Sequence, residues 1–317
     1  MSFLTKFGSL WGAVPQTCGR VFWVAAGDSF TVEGKAYPAS DGNDGLSPER
    51  PLRHANRAWA LCTANAGDII MLLPGTHTAA IADGTATSIA ANVAGVTMMG
   101  LPSISGGNML RNRALLNIAA ADETVNVTAA DIEIAHISFV GVASQTAIAT
   151  LNYSAAANRL YIHDCLVDVT AQTISTSILG FDATGAAQHC VFERCHFITD
   201  GAFGAMIDLT ATLDTLVQDC VFTHTTGTLA SAITCGAATD RTTIRRNTFN
   251  DSAGTISSGV NGTGATIAGG CLLSYNYGGV TVTALASGWT SGEAELCNNY
   301  DGGVGAGDGG VLYAATA

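Results

Sequence analysis

Lysine is almost missing from this 317-residue chain: Lys6 and Lys35 stand against eleven arginines. No basic run occurs and the formal net charge is -12, so the electrostatic footprint of nucleic-acid binding is lacking. Charged residues reach only 12%, about half the ~25% usual in soluble domains. Surface polarity must therefore come from Thr, Ser, Asn and Gln. Proline is scarce as well, 6 residues beside 37 glycines. No apolar run approaches the ~20 residues a membrane-crossing helix needs, so no membrane insertion is expected. The opening MSFLTKFGSLWGAVPQ carries one lysine and an apolar run broken by glycine and serine, which does not read as a signal peptide. The chain is expected to be made and kept in a cytoplasm. Nine cysteines, at 18, 62, 165, 190, 195, 220, 235, 271 and 297, form neither a C-x-x-C pair nor a Cys/His cluster at zinc spacing. Free, buried thiols are the expectation.

What is present is an internal repeat. A frame of the type apolar-x-x-small-x-aromatic/apolar recurs as IAHISF from Ile134, IHDCLV from Ile162, FERCHF from Phe192, VQDCVF from Val217, IRRNTF from Ile244 and LLSYNY from Leu272. Successive starts differ by 28, 30, 25, 27 and 28 residues, too short for a propeller blade. Intervening segments such as TAQTISTSILGF and AFGAMIDLTATL have strand and turn compositions and no helical period. Units of this length holding three short strands predict an all-β, single-stranded parallel solenoid with coils ~4.8 Å apart. A repeat packs only on its neighbours, so 317 residues are compatible with one elongated body.

On such a solenoid the first, fourth and sixth frame positions point inward and the second and fifth outward. Cys165, Cys195, Cys220 and Asn247 are predicted to stack at a tight turn. Third positions read His136, Asp164, Arg194, Asp219, Arg246 and Ser274. Like charges stacked so closely would repel, and the order acid, base, acid, base from Asp164 to Arg246 is the one an in-register stack favours.

Upstream, GDIIMLLPGTH, AGVTMMGLPS and ALLNIAA read as earlier coils, and AELCNNYDGG as a last one. Open solenoid ends expose core and unpaired backbone, and natural proteins cover them. In SDGNDGLSPERPLRHANRAWALC, turn chemistry precedes Leu52, Ala55, Trp59 and Cys62 at helical spacing, with Arg53, Asn56 and Arg57 opposite. A capping helix laid over the first coil is predicted, with Trp59 plugging the core. The expected organisation is an N-terminal arm over 1–35, turn and capping helix over 36–66, β-helix over 67–300 and a Gly-rich tail over 301–317.

The passage YPASDGNDGLSPERPLRHANRAWALC, followed by AGDIIMLLPGTHT and by coils of the IxxCxF and IxxNxF type, resembles the pectate-lyase-like right-handed parallel β-helix superfamily over roughly residues 36 to 300. The resemblance implies right-handedness, which periodicity leaves open. It speaks weakly to activity, because the superfamily includes lyases, glycosidases, surface proteins and bacteriophage virion proteins. The NTD, DD, GHG and RIK-like signatures of its glycosidases do not occur here.

Candidate chemistry is correspondingly thin. Asp164 and Asp219, with Arg194 between them, come nearest to a carboxylate pair on one face; the structural alternative is a charge ladder. Asp41, Asn43 and Asp44 of DGNDG could offer oxygens to calcium, but Gly45 stands where an EF-hand places Asp or Asn and the distal Glu is missing. An Asx-type turn is the competing reading, and no cofactor is expected. His54 lies on the expected lid, and His163, His189, His196 and His224 fall at outward or turn positions without an assigned nucleophile. GGVGAGDGG reads as a flexible tail.

Phe3, Leu4, Phe7, Leu10, Trp11, Phe22 and Trp23 give the N-terminal arm more apolar surface than a free tail leaves in water. They are candidates for docking onto a particle, or for covering the lid and first coil. The expected function is a non-enzymatic bacteriophage virion protein, a trimeric β-helical capsid decoration or surface spike whose partners are its own copies and capsid or tail proteins. The alternative is a polysaccharide lyase, glycoside hydrolase or tailspike-type depolymerase, or a non-catalytic module binding cell-surface polysaccharide.

Overall fold

A computed structural model describes residues 19–32, 34–78, 88–101, 114–117, 124–141, 150–170, 180–201, 203–236, 238–251, 254–262, 270–279, 282, 285–287, 289, 294–301 and 310–312. Among the described residues there are three long sheets, two of ten strands and one of nine. Apart from two antiparallel pairs, every strand pairs in parallel with its counterpart one coil away. The first sheet runs from Val21–Val24 through Ile69–Leu72, Thr97–Gly100 and Glu133–Ala135 to Ala294–Cys297. The second contains Ile137–Val140, Leu166–Asp168, His196–Thr199 and their counterparts, and the third Leu151–Tyr153, Phe181–Ala183, Phe203–Asp208 and theirs.

Registers put Ile134, Ile162, Phe192, Val217 and Ile244 in one buried column. Phe197, Phe222 and Phe249 form another, with ring centroids 4.9 and 5.1 Å apart. That spacing is close to the strand-to-strand rise, so identical aromatics can stack without leaving register.

Between the first and second sheets the chain turns through one left-handed residue. His136, Asp164, Arg194, Asp219, Arg246, Tyr275 and Asn298 all have φ between 50° and 56°. The next residue points inward. Cys165, Cys195 and Cys220 each place a thiol 3.3–3.4 Å from a carbonyl of their own turn, those of His163, Glu193 and Gln218, and 3.7–3.8 Å from one of the preceding coil, those of Ile134, Ile162 and Phe192. From Asn247 onward an amide takes over this task. Nδ2 of Asn247, Asn276 and Asn299 donates to the carbonyls of Val217, Ile244 and Leu273 at 2.7–3.0 Å. Each Oδ1 in turn accepts the backbone N–H of the stacked residue one coil back, at 3.0 Å. The amide therefore satisfies a buried donor and a buried acceptor where the thiol contributes one weak bond.

This ladder corrects the sixth repeat by one residue. Ile244 pairs with Leu273, not Leu272, so Tyr275 takes the turn and Asn276 the stack. The proposed frame placed Tyr275 inward, whereas it is 61% exposed and Asn276 is buried. A seventh unit follows, with Asn298 at the turn and Asn299 in the stack.

The ends also differ from the expectation. Strand Val21–Val24 opens the first sheet by pairing with Ile69–Leu72, so the solenoid begins inside the segment assigned to the arm. Phe22 is 2% exposed within the main core and Trp23 is buried in a second cluster; packing inside the chain removes both from the docking set. Phe3, Leu4, Phe7, Leu10 and Trp11 lie outside the described residues. The second cluster, with Ile69, Met71, Met99 and Ala135, covers the outer face of the first sheet beneath the hairpin Ser29–Val32/Lys35–Pro38, whose Phe30 packs against it. Burial on both faces explains the uninterrupted apolar run IIML. At the other end, Gly310–Leu312 pairs antiparallel with Asn299–Asp301, so part of the Gly-rich tail covers the edge of the last coil.

The predicted cap is a helix, Ala55–Leu61, with Ala55, Ala58 and Trp59 buried. Asn56, on the face opposite the apolar residues, closes the exposed end of the third sheet. Its Nδ2 donates to the Ser88 carbonyl and its Oδ1 accepts the Ala90 N–H, at 2.9 and 2.8 Å. The side-chain amide thus replaces the strand that a further coil would have supplied. Asp68 of the GD pair, 1% exposed, accepts the backbone N–H of Arg20 and Thr63 and the Arg20 guanidinium at 2.7–2.9 Å, tying the first strand to the end of the helix.

Unequal satisfaction along the turn column leads to an expected difference in stability. Asn276→Ala removes the acceptor of two donors of Asn247 and is expected to cost about 3–5 kcal/mol, whereas Cys195→Ala costs about 1 kcal/mol. Equilibrium denaturation of the two variants reads the difference, and equal losses would refute the amide ladder.

Candidate functional site

Two outward faces concentrate polar chemistry. The first lies on the first sheet, beyond the part covered by the hairpin, where Glu133, Tyr161, His163 and Glu193 project from successive strands. His163 is the centre. Its Nε2 bonds Glu133 Oε1 and its Nδ1 bonds Asp164 Oδ2, both at 2.8 Å. Tyr161 stacks on the imidazole at 4.3 Å and donates its hydroxyl to Glu193 at 2.6 Å. Gln218 donates to the other Glu193 oxygen at 2.9 Å. Arg194 closes the group by pairing with Asp164 at 2.8 Å and Glu193 at 2.5 Å. Gly100 allows the close approach of the His136 turn, since a Cβ there would lie 2.3 Å from the His136 carbonyl oxygen.

Electrostatics follow from these contacts. Burial opposes ionisation of Asp164, but hydrogen bonds from Arg194 and His163 win and hold its carboxyl down at about 2. The bond from His163 likewise lowers Glu133, and the Tyr161 hydroxyl lowers Glu193. Burial works against the His163 imidazolium, yet the flanking carboxylates raise its pKa. Each carboxyl here is held ionised, the opposite of what a general acid needs near neutral pH.

Arg194 and Asp164 are thus brought together, while Asp219 belongs to the next rung and pairs with Arg246 at 2.7 Å. A matching ladder escaped the sequence reading. Asp131, Arg159, His189, Asp214 and Arg241 occupy the left-handed turn before the first sheet, with Arg159 bound to Asp131 and Arg241 to Asp214. Acid-base alternation at a second coil-period position was the available signal.

The second face is the third sheet, whose outward column reads Asn126, Asn152, Asp182, Asp208, Thr234, Asn261 and Ser287. Asp182 and Asp208 are register partners on adjacent coils, so two acidic residues sit on neighbouring strands ~4.8 Å apart. One Asp208 oxygen accepts the N–H and hydroxyl of Thr210. The sequence signal for this pair lies outside the IxxCxF frame, in VNV, LNY, FDA and IDL, which repeat one polar residue between two apolar ones.

In the DGNDG segment, Asp41 accepts the backbone N–H groups of Arg53 and His54 and bonds the His54 ring. Asn43 donates to the Pro38 and Pro51 carbonyls, and Asp44 holds the Leu46 N–H and Arg50. These bonds close the turn ahead of the helix. Eight cysteines are free among the described residues, six of them buried. Burial pushes Cys62 up to about 12 and Cys190 to about 11, so neither is a ready thiolate. Near the C-terminal end, Tyr275, Tyr277 and Tyr300 stand 61%, 42% and 41% exposed, the last two stacked at 5.2 Å.

Neither a known family profile nor a curated protein matches the chain. Among solved structures, a pectin methylesterase with a bound hexasaccharide superposes with TM-score 0.52 at 10% identity, covering 84% of this chain and 89% of that one. A rhamnogalacturonan lyase reaches 0.45 at 11% identity, covering 89% and 87%. ORF18 of Geobacillus virus E2 reaches 0.30 at 12%, covering 89% and 74%. Repeat, ladder and superposition define the class as a single-stranded parallel β-solenoid. More narrowly, its fold is a parallel β-helix like that of the pectin methylesterase, and the right hand is the one that parallel crossovers adopt almost without exception.

The Asp164 shift has a pH consequence. Its folded pKa, about 2, lies below the ordinary ~3.9, so its contribution is complete above about pH 4 and lost as pH falls through 2. Urea midpoints between about pH 2 and 5 are expected to fall less steeply for Asp164→Asn than for the native chain; parallel profiles would exclude the pair as a source of acid sensitivity.

Proposed function

We propose that this chain is a non-enzymatic structural protein of a bacteriophage particle, a trimeric β-helical decoration or spike on the capsid surface. One observation carries the non-enzymatic part. The carboxylates around His163 are bound to Arg, His, Tyr or Gln partners and held ionised, so this face supplies cohesion between coils in place of a poised acid. A rod stapled at two turn columns suits a load-bearing surface component. The exposed tyrosines at the C-terminal coils favour a second copy of the chain as their partner, since stacked rings left in water are costly apolar surface. Residues 3–11 are the remaining candidates for contact with capsid or tail proteins.

A second reading rests on the Asp182–Asp208 pair. Two carboxylates on adjacent rungs are the minimum equipment for glycoside hydrolysis, and the pectin methylesterase of like fold is seen with an oligosaccharide. A depolymerase, lyase or non-catalytic glycan-binding module would use this column.

Three measurements decide. Light scattering is expected to give a mass three times 32.3 kDa, and Tyr277→Asp is expected to lower it. Imaging of the particle is expected to place copies over the head shell; confinement to the tail tip would overturn decoration. Incubation with acidic polysaccharides, with and without calcium, is expected to release no unsaturated or reducing ends. Turnover abolished by Asp182→Asn would replace this reading with the enzymatic one.

A further inference from the structure

His136 and His163 are 27 residues apart in sequence, far outside any local metal-binding spacing. The solenoid nevertheless sets them on successive coils with ring centroids 5.7 Å apart and planes at 81°. One ligand atom from each imidazole and a carboxylate oxygen of Asp164 all lie within 4.8 Å of one another. We propose that His136, His163 and Asp164 form a site for one divalent transition-metal ion of the zinc class, which pins two coils together at the left-handed turn.

The donor set selects the ion. Two imidazoles and one carboxylate suit Zn²⁺, Co²⁺ or Ni²⁺, whereas Ca²⁺ and Mg²⁺ favour oxygen ligands throughout. Three protein ligands leave one tetrahedral position for water. The surroundings also prepare His163 for this role. Glu133 holds Nε2 at 2.8 Å, Thr97 donates to the other Glu133 oxygen at 2.9 Å, and Tyr161 stacks on the ring. A carboxylate on the far nitrogen is the outer-shell arrangement that orients a ligating histidine and raises its basicity. It leaves Nδ1 on the side of Asp164, 2.8 Å from Oδ2.

Entry of the ion replaces that hydrogen bond and the bond from Arg194 Nη2 to the same Oδ2, also at 2.8 Å. The Nδ1 proton leaves to solvent, Nδ1 and Oδ2 become ligands, and Arg194 retains its contact with Oδ1 at 3.2 Å. Arg194 opposes a cation here, but three carboxylates, Glu133, Asp164 and Glu193, surround the histidine against its one guanidinium, so the local field favours positive charge.

The test is titration of the full chain, stripped with chelator, with Co²⁺ and then Zn²⁺. One ion per chain is expected, with Co²⁺ visible bands and no thiolate-to-cobalt charge transfer. His136→Gln and Asp164→Asn are each expected to weaken binding at least ~10-fold, and Glu133→Gln by ~10–100-fold through the outer shell. His196→Gln, whose ring bonds Thr223 on the second sheet, is expected to bind as the native chain does. The metal-free thermal midpoint of each variant checks that it is folded, and Asp164→Asn serves if His136→Gln is not. Absence of saturable binding up to millimolar Co²⁺, a thiolate band in the 1:1 complex, or native affinity in a folded His136→Gln or Asp164→Asn variant would overturn the site.

Discussion

From Cys165 onward, each coil of this protein meets the one before it through a small side chain that reaches across a tight turn toward a buried carbonyl. Parallel pairing alone leaves the turn's backbone groups unsatisfied, because the left-handed residue breaks the ladder there. The buried Ile137 fills the corner after His136; a side chain that must also bond the turn's backbone has to be both small and polar. Cysteine and asparagine meet both conditions in different degree. The thiols of Cys165, Cys195 and Cys220 form weak bonds in the middle coils, and the amides of Asn247, Asn276 and Asn299 form two-sided ones toward the C-terminal end. Once these corners superpose, strand register is fixed, and with it the outward columns on which all surface chemistry depends.

Those columns explain how a chain with so few charges remains specific. Its charged residues are concentrated where stacking makes them effective, at the two turns. Asp164–Arg194 and Asp219–Arg246 pair at one, and Asp131–Arg159 and Asp214–Arg241 at the other. Most of these guanidinium groups are half exposed, so each pair adds modestly to stability. A slip of one coil would set like charges together, and that penalty gives the ladders their value in specifying register.

Legibility in the sequence followed the repeat. The stack of Cys165, Cys195, Cys220 and Asn247, the helix under Trp59 and the first ladder could be read because one six-residue frame carried them all. The sixth unit slipped by one because Leu272 and Leu273 fit the first position equally well and tyrosine passed for an inward aromatic. Phe22 and Trp23 looked like an unsupported apolar arm because their partners, Ile70 and Met71, lie some fifty residues ahead. The His136–His163–Asp164 group stayed invisible for a related reason. Metal motifs are sought at helix or hairpin spacing, but in a solenoid the neighbour of a residue is one coil away. The same displacement concealed Asp182 beside Asp208, whose repeat is a single polar residue between two apolar ones.

Amide hydrogen exchange at the turn column tests the central claim most directly. The backbone N–H groups of Cys220, Asn247 and Asn276 each donate to an asparagine Oδ1 one coil ahead. They are expected to exchange as slowly as the sheet amides on either side, opening only with the coil as a whole. Exchange at the rate of solvent-exposed turn amides would contradict a ladder of buried side chains holding the coils in register.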